Sequence, residues 1–282
     1  MAVSVDGRIT TRKRERFPLG SEHDRRLMDE LRSRADAVIV GAGTVRHDGY
    51  PILLRYDDLR ESRSARGRPP HPVNVVLSRC LDLPVKSRFF ASDATRKIVF
   101  TTHSAPAARV KRFQRVAEVI VLPGRSLAPG RVLAELRARG LKRCLLEGGG
   151  EVHFAFAKAG VVAEIYVTLT PRLIGGKRAP SLLDGEGFLW KEHTRLSLVT
   201  LRRVGDEVFL HYRVVRPEIH VANEPAAGDA GPGPPRRGAR GAEREGDTAP
   251  SLPPRAGRRQ DPPASRRDVR DRRARPGRGR PP

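Results

Sequence analysis

Two runs of glycine follow short apolar segments and could bring bare main chain against a phosphate group. Gly41 and Gly43 come after Ala37–Val40, and Gly148 to Gly150 come after Arg143–Leu146. Glycine at the carboxyl end of a strand lets backbone N–H groups approach a phosphate, and a helix beginning there favours negative charge. Each run alone is also explained as a tight strand-to-helix turn. Two such runs favour a dinucleotide ligand, because a pyrophosphate needs several donors.

Polar side chains concentrate around the first glycine run. An acid and several arginines beside a phosphate-binding turn suit an anionic substrate, although a solvated loop would explain any one of them. The residues of the group are Arg32, Thr44, Arg46, His47, Asp48 and Arg55.

Familiar catalytic motifs are not satisfied. Arg46 stands where the dinucleotide fingerprint needs its third glycine, and Gly175 to Arg178 lack the spacing of a phosphate-binding P-loop. The chain has no Cys-x-x-Cys, His-x-x-x-His, His-x-Glu or Gly-x-Ser-x-Gly motif, so we expect no metal site and no serine nucleophile. His153 is expected to be a packing or surface residue, and Cys144 is expected to lie in the core.

The elements that must hold these residues alternate between strands and helices. Short runs rich in Val, Ile and Leu are typical of strands buried on both faces of a parallel sheet. The six predicted strands are Ala37–Val40, Val73–Leu77, Lys97–Thr101, Glu118–Leu122, Arg143–Leu146 and Glu164–Thr170.

Capping signals define three helices. Ser21 followed by Asp24 predicts a capping box for the helix that ends at Arg34. The other two are predicted over Pro129–Arg139, before Gly140, and over Glu151–Ala159, before Gly160.

The C-terminal end of the folded part predicts an antiparallel hairpin. Arg195–Val204 and Glu207–Val215 flank the turn pair Gly205 and Asp206. Together the elements predict an α/β layered domain with a mixed, mostly parallel sheet that closes on this hairpin.

Composition divides the chain into two parts. The 282 residues carry a formal charge of +23, and residues 223–282 hold 12 of the 24 prolines with few large apolar side chains. Such a segment cannot bury enough apolar surface to offset chain entropy, so we predict a folded domain over residues 1–222 and a disordered tail over 223–282. The tail could contact nucleic acid through phosphates, but it contains no aromatic residue to stack on bases.

Composition also excludes several classes of protein. The sequence contains no run of about 20 apolar residues, so no membrane span is predicted, and the N-terminus lacks the pattern of a secretory signal. The two cysteines, Cys80 and Cys144, cannot form a disulfide scaffold. These features predict a soluble cytoplasmic protein without a membrane partner.

Four segments, in order, resemble the reductase domain of the bifunctional riboflavin-biosynthesis deaminase/reductase, a dihydrofolate-reductase-like domain. They are Ser4–Ile9, Ala35–Asp48, Leu146–Gly150 and Glu164–Gly176. The resemblance implies a three-layer α/β fold. We expect a stand-alone reductase domain, because the deaminase half and its zinc motif are absent from this sequence. This sequence departs from the family pattern at two places. The first strand of the family usually starts several residues earlier, and the family usually has Asp/Asn-Pro where this chain has Gly49 to Pro51.

The resemblance also implies roles for individual residues. The candidate cofactor-binding residues include Gly41, Gly43 and Gly148 from the two glycine runs. The positions that match cofactor contacts of the family are Ala2, Thr44, Asp48, Ser78, Arg79, Gly149, Gly150 and Glu151. Ser78 and Arg79 match the place where the adenosine 2′-phosphate is held. Positions that match substrate contacts are Arg32, Ile52, Arg55 and Glu147, with the arginines suited to a phosphate and Glu147 facing the pyrimidine.

The reaction implied is reduction of the ribosyl group of a 5-phosphoribosylamino-pyrimidine to ribityl, with NADPH as hydride donor. We hypothesise that the aminosugar opens to an imine that accepts the hydride, with Asp48 or a water that it holds as proton source and Glu147 as the second catalytic candidate. Two alternatives stay open: an NADPH reductase of the same fold for another pterin-like or carbonyl substrate, and a basic nucleic-acid-binding protein. Family members commonly form homodimers.

Overall fold

A parallel sheet of five strands forms the centre of the domain. The computed structural model describes residues 1–15 and 17–215. The strand order β5-β4-β3-β2-β6 is parallel throughout, and the predicted positions of all five are confirmed to within a residue at each end. The strands are β2 (Ala37–Gly41), β3 (Val73–Leu77), β4 (Lys97–Thr102), β5 (Glu118–Leu122) and β6 (Cys144–Leu146).

Helices cover both faces of this sheet, as the three-layer prediction requires. Because side chains alternate along a strand, Val75 packs in one core cluster and Val76 in the other. One face packs against α6 (Pro129–Ala138) and α7 (Gly150–Lys158). The opposite face packs against α2 (Ala42–Asp48), α4 (Arg88–Ala91) and α5 (Ala107–Phe113). Two-sided burial explains why the central strands are continuous apolar runs.

The remaining strands form a second sheet of order β1-β7-β9-β8. Its members are β1 (Ala2–Ser4), β7 (Glu164–Thr170), β8 (Arg195–Val204) and β9 (Glu207–Val215). β1 runs parallel to β7, and β8 and β9 form the predicted antiparallel hairpin, which turns at Gly205 with φ of 58°. The α/β fold with parallel strands and a C-terminal hairpin is therefore confirmed, with its strands divided between two sheets.

Two further helices, both rich in charged residues, precede β2 and β3 in the chain. They are α1 (Glu22–Arg34) and α3 (Asp57–Ser64). Ser21 caps α1 by accepting the N–H of Asp24 at 3.4 Å, but the predicted reciprocal bond of a capping box is wrong. The N–H of Ser21 donates instead to Glu207 at 2.8 Å, and the Ser21 hydroxyl donates to the same carboxylate at 2.5 Å. Tertiary contact with the hairpin replaces the local partner.

In the described part of the chain, no helix has the length and apolar character needed to cross a membrane. The predicted tail, residues 223–282, lies outside the described residues.

Candidate functional site

Three neighbouring parallel strands end at one cleft of about 1340 Å³, called here the glycine cleft. Its walls include Gly41–Thr44 after β2, Ser78–Cys80 after β3 and Gly149–Val152 after β6. The strand order β3-β2-β6 puts these three turns side by side. Ligands of open α/β sheets bind outside the carboxyl ends of strands, and the glycine cleft occupies that position.

Most of the residues predicted to bind a cofactor line the glycine cleft. Two do not: Ala2 lines a separate apolar groove between β6 and β7, of about 1210 Å³, and Gly148 lies buried behind α7. The residues that the cleft brings together are Gly41, Gly43, Thr44, Asp48, Ser78, Arg79, Gly149, Gly150 and Glu151.

The glycines of the two runs have different physical roles. A Cβ at Gly41 would lie 2.9 Å from a Val152 methyl group, and one at Gly148 would lie 2.8 Å from Val152 Cβ. A Cβ at Gly150 would meet the Asp184 carboxylate at 2.5 Å. Gly41 and Gly148 therefore let α7 pack closely on the strand ends, and Gly150 lets the start of α7 lie against Ser181 and Asp184.

Gly43 and Gly149 are different, because a Cβ at either position would meet no heavy atom within 4 Å. Gly149 is also the N-cap of α7 and makes no side-chain capping bond. The first N–H groups of a helix lack intrahelical partners, and the helix dipole adds partial positive charge there. The residues present thus fit the phosphate groups of a nucleotide.

Ser78 and Arg79 lie on the opposite wall. Ser78 is buried, whereas Arg79 is exposed and its carbonyl accepts the Thr101 hydroxyl at 2.9 Å. Anchoring of the Arg79 main chain on β4 fixes the base of the side chain at the cleft. An exposed guanidinium suits a phosphate monoester, which can accept two parallel hydrogen bonds.

Asp48 is the last residue of α2 and lines the glycine cleft. The helix ends there because Gly49 adopts a left-handed conformation, with φ of 64°, and returns its N–H to Val45 at 2.9 Å. Asp48 is half-buried.

The predicted substrate arginines belong to an ion-pair cluster, called here the Asp29 cluster: Asp29, Arg32, Arg55 and Glu147. Arg32 donates to both Glu147 oxygens, at 2.8 and 2.6 Å, and to Asp29 at 2.8 Å. Arg55 donates to Asp29 from its main-chain N, at 2.6 Å, and from its guanidinium.

The contacts within the Asp29 cluster keep Asp29 and Arg32 charged. Burial alone would raise the pKa of Asp29, but hydrogen bonds from Arg55 and the charge of Arg32 bring that pKa below its ordinary value. Burial would likewise lower the pKa of Arg32, but the Glu147 and Asp29 carboxylates hold it above its ordinary value. Two cations and two anions share one partly buried site.

Ile52, the fourth predicted substrate residue, is held elsewhere. Its main-chain N–H donates to Asn74 on β3 at 2.7 Å, and its carbonyl accepts the Asn74 amide at 3.0 Å. Within the described residues, Arg32, Ile52 and Arg55 are not part of the wall of the glycine cleft, and Glu147 lines the apolar groove.

Sequence reasoning missed Asp29 and Asn74. Asp29 precedes Arg32 by three residues, a spacing that brings side chains together on a helix, and this signal could have found it. Asn74 is a single buried amide in an otherwise apolar strand, which is also a signal, because a buried polar side chain needs hydrogen-bond partners.

His153 and Cys144 line the apolar groove. His153 Nδ1 lies 3.0 Å from the Leu182 carbonyl, and burial lowers the pKa of the imidazole. Burial also raises the pKa of the Cys144 thiol to about 11, which opposes a nucleophilic role. Among residues 1–15 and 17–215 no group of three or more His, Cys, Asp or Glu side chains could hold a metal ion.

The family model described as the RibD C-terminal domain matches residues 1–210. The chain belongs to the RibD C-terminal domain family. The match extends from β1 into the last strand of the hairpin, so both sheets and both walls of the glycine cleft are within the RibD domain. The resemblance noted from the four sequence segments is thereby confirmed.

Individual relatives of this RibD domain support the same assignment. The chain is 34% identical over 191 residues, covering 68% of this chain and 87% of the relative, to the 2,5-diamino-6-ribosylamino-4(3H)-pyrimidinone 5′-phosphate reductase of Archaeoglobus fulgidus. It is 30% identical over 214 residues, covering 76% and 95%, to the reductase of the same name from Methanothermobacter thermautotrophicus.

A solved structure is similar across the RibD domain. The crystal structure of a pyrimidine reductase-like protein from Corynebacterium diphtheriae superposes with a TM-score of 0.67 and 27% identity, covering 77% of this chain and 90% of that one. The strands and helices of this chain are therefore arranged as in that crystal structure.

Proposed function

We propose that this chain is an NADPH-dependent reductase that converts the ribosyl group of a 5-phosphoribosylamino-pyrimidine to ribityl in riboflavin biosynthesis. The observation that carries the proposal is the glycine cleft, where three strand ends and the N-terminus of α7 meet. The names of the two reductase relatives, which cover most of this RibD domain, support the same reaction and a phosphorylated pyrimidine substrate.

The glycine cleft supplies the groups that a phosphorylated nicotinamide coenzyme needs. Gly43 and Gly149 would leave room for its pyrophosphate, and the first N–H groups of α7 would donate to it. Arg79 would bind the 2′-phosphate, with Ser78 beside it. When bound, NADPH supplies the hydride that reduces the ribosyl carbon.

The other predicted residues act on the substrate. Arg32 and Arg55 would bind its phosphate, Glu147 would contact the pyrimidine, and Asp48 or a water that it holds would deliver the proton. The protein's main contribution is alignment of the two reactants, because positioning converts a two-body reaction into an intramolecular one.

Turnover with defined compounds tests the proposal. The purified chain should oxidise NADPH when given the pyrimidinone ribotide named for its relatives, and should do so more slowly with the dephosphorylated nucleoside. Equal rates with both compounds would remove the phosphate role of the arginines and favour the alternative, a reductase of another pterin-like or carbonyl substrate. Absence of NADPH oxidation with every compound would overturn the proposal.

The nucleic-acid alternative rests on the +23 charge and on residues 223–282. A chain without these residues should keep its reductase activity. If the full chain shows no reductase activity and its salt-dependent RNA binding is lost when these residues are deleted, the alternative is favoured instead.

The homodimer prediction is supported by the exposed edge of the second sheet. β8 is the last strand of that sheet, and it presents exposed apolar side chains at Leu196, Leu198, Val199 and Leu201. An open apolar edge strand readily pairs with a second copy. Light scattering of Leu198→Asp should show a shift from dimer to monomer. The cytoplasmic location stays a prediction.

A further inference from the structure

Asp29 differs from its neighbours in the Asp29 cluster because it is closed to solvent. Its side chain is 0% exposed, whereas those of Arg32 and Arg55 are 17% and 45% exposed. A ligand can therefore reach the two guanidinium groups but cannot reach the carboxylate that they share.

The hydrogen bonds of Asp29 fix both arginines at once. Its Oδ1 accepts from Arg32 Nη1 at 2.8 Å and from Arg55 Nη2 at 2.9 Å. Its Oδ2 accepts from the main-chain N and the Nε of Arg55, at 2.6 and 3.2 Å. Oδ1 thus bonds to both guanidinium groups, and the bonds to Oδ2 tie the loop before α3 to α1.

The charges explain why such a holder is needed. Two guanidinium groups side by side repel each other, and a flexible arginine loses considerable rotamer entropy when a ligand immobilises it. A buried carboxylate between them offsets the repulsion and fixes the orientation before a ligand arrives. A phosphate then meets a preformed pair of donors, which raises affinity by lowering the ordering cost.

We propose that Asp29 is a positioning residue that holds Arg32 and Arg55 in the geometry that recognises the substrate's sugar phosphate. The inference rests on the proposed function, because that function assigns the phosphate to these arginines. Asp29 itself touches neither substrate nor cofactor. Its effect is on recognition of the phosphate and not on hydride transfer.

Binding of ribose 5-phosphate, measured by calorimetry, tests the inference without turnover. Asp29→Asn should weaken binding by about tenfold or more, the cost of losing a charge-assisted hydrogen bond. The matched control is Glu30→Gln, which removes an acid one residue away whose partner is the surface residue Arg26, and it should bind as the unmodified chain does. Equal affinity of Asp29→Asn and the unmodified chain, or no binding by the unmodified chain, would overturn the inference.

A second variant guards against misfolding. Asp29→Glu keeps the charge but moves the carboxylate by one methylene, so its affinity for ribose 5-phosphate should fall between those of the unmodified chain and Asp29→Asn. Unchanged affinity in Asp29→Glu would contradict a role that depends on geometry.

Kinetics separate this inference from the proposed function. Asp29→Asn should raise the KM for the pyrimidine ribotide, leave the KM for NADPH and the kcat near their original values, and abolish the preference for ribotide over nucleoside. A purely structural role would lower the activity on both compounds equally. If ribose 5-phosphate binding depends on Asp29 but no ribotide is reduced, the inference stands and the proposed function fails.

Discussion

Glu147 and Arg32 form a two-bond ion pair, at 2.8 and 2.6 Å, across 115 residues of sequence. The pair joins the end of β6 to α1, and the Glu147 side chain is 11% exposed. A substrate that contacts Glu147 must therefore meet an acid whose orientation Arg32 already determines.

The Glu147→Gln variant should bind the pyrimidine substrate less tightly. If Glu147 faces the pyrimidine as proposed, the amide of Gln loses the ion pair with Arg32 and offers a weaker, uncharged acceptor, so the KM for the ribotide should rise about tenfold or more. The KM for NADPH should not change. Steady-state kinetics measure both values, with Glu135→Gln on the surface of α6 as the control. An unchanged ribotide KM would remove Glu147 from the substrate site.

The Asp48→Asn variant should lose turnover and keep its coenzyme affinity. Removal of a proton donor or its water typically costs about 100-fold or more in rate. Fluorescence titration of NADPH and measurement of kcat separate the two effects, and Asp58→Asn in the surface pair with Arg26 is the control. Full turnover in Asp48→Asn would show that the proton comes from elsewhere.

The Arg79→Ala variant should discriminate less well between coenzymes. If Arg79 binds the 2′-phosphate, its loss should raise the KM for NADPH about tenfold or more and leave the KM for NADH unchanged, because NADH lacks that phosphate. The control is Arg96→Ala, whose side chain pairs with Glu118 on the surface. A parallel rise in both KM values would argue against 2′-phosphate recognition.

Two neighbouring glycines should respond differently to alanine. Gly150→Ala places a Cβ 2.6 Å from the Ser181 carbonyl, so it should lower the Tm markedly. Gly149→Ala meets no atom within 4 Å, so the fold should persist while the methyl group obstructs the coenzyme phosphates. Thermal unfolding and NADPH titration measure the two effects. Normal NADPH affinity in Gly149→Ala would contradict phosphate binding at this turn.

Asp6 should make stability fall at low pH. Its carboxylate accepts the N–H groups of Ile174 and Gly175 at 3.0 and 2.7 Å, and these bonds, with one from Ser4, lower its pKa from 3.8 to about 2. Since the folded pKa is depressed, the stabilising contribution is complete above about pH 3.8 and is lost as the pH falls through about 2.

Denaturant unfolding at a series of pH values from about 5 to about 2, a range that includes both pKa values, measures this contribution. Asp6→Asn should be less stable than the unmodified chain at the upper end, and the difference should shrink towards the lower end. If the difference in stability between the two chains does not change with pH, the charge of Asp6 does not stabilise the segment at Ile174 and Gly175.

The central strands and the glycine cleft could be predicted because their signals are local. A run such as Val73–Leu77 is buried on both faces, and glycines directly after strands mark the ligand edge of the sheet. The helix α3 could not be predicted, since its sequence has a single leucine and no apolar stripe. Its buried Arg63 donates to the Ser33 and Ala35 carbonyls, so a tertiary contact stabilises it.

Much of the site depends on contacts between residues far apart in the sequence. The close approach of Val152 to Gly41 and Gly148 follows from how α7 packs on the sheet, which no local pattern encodes. Asp29 meets Arg55 across 26 residues, and that meeting requires α1 and the loop before α3 to be folded together. Sequence patterns therefore indicate candidate residues for the site, whereas the contacts between those residues depend on the tertiary fold.

The most direct test of the account is a fluorescence titration of the purified chain with NADPH. Binding at the glycine cleft predicts a saturable change in the fluorescence of the reduced coenzyme, weakened in Gly149→Ala and Arg79→Ala. No change at a large excess of protein or coenzyme would contradict the account, because every role assigned to the cleft depends on that binding.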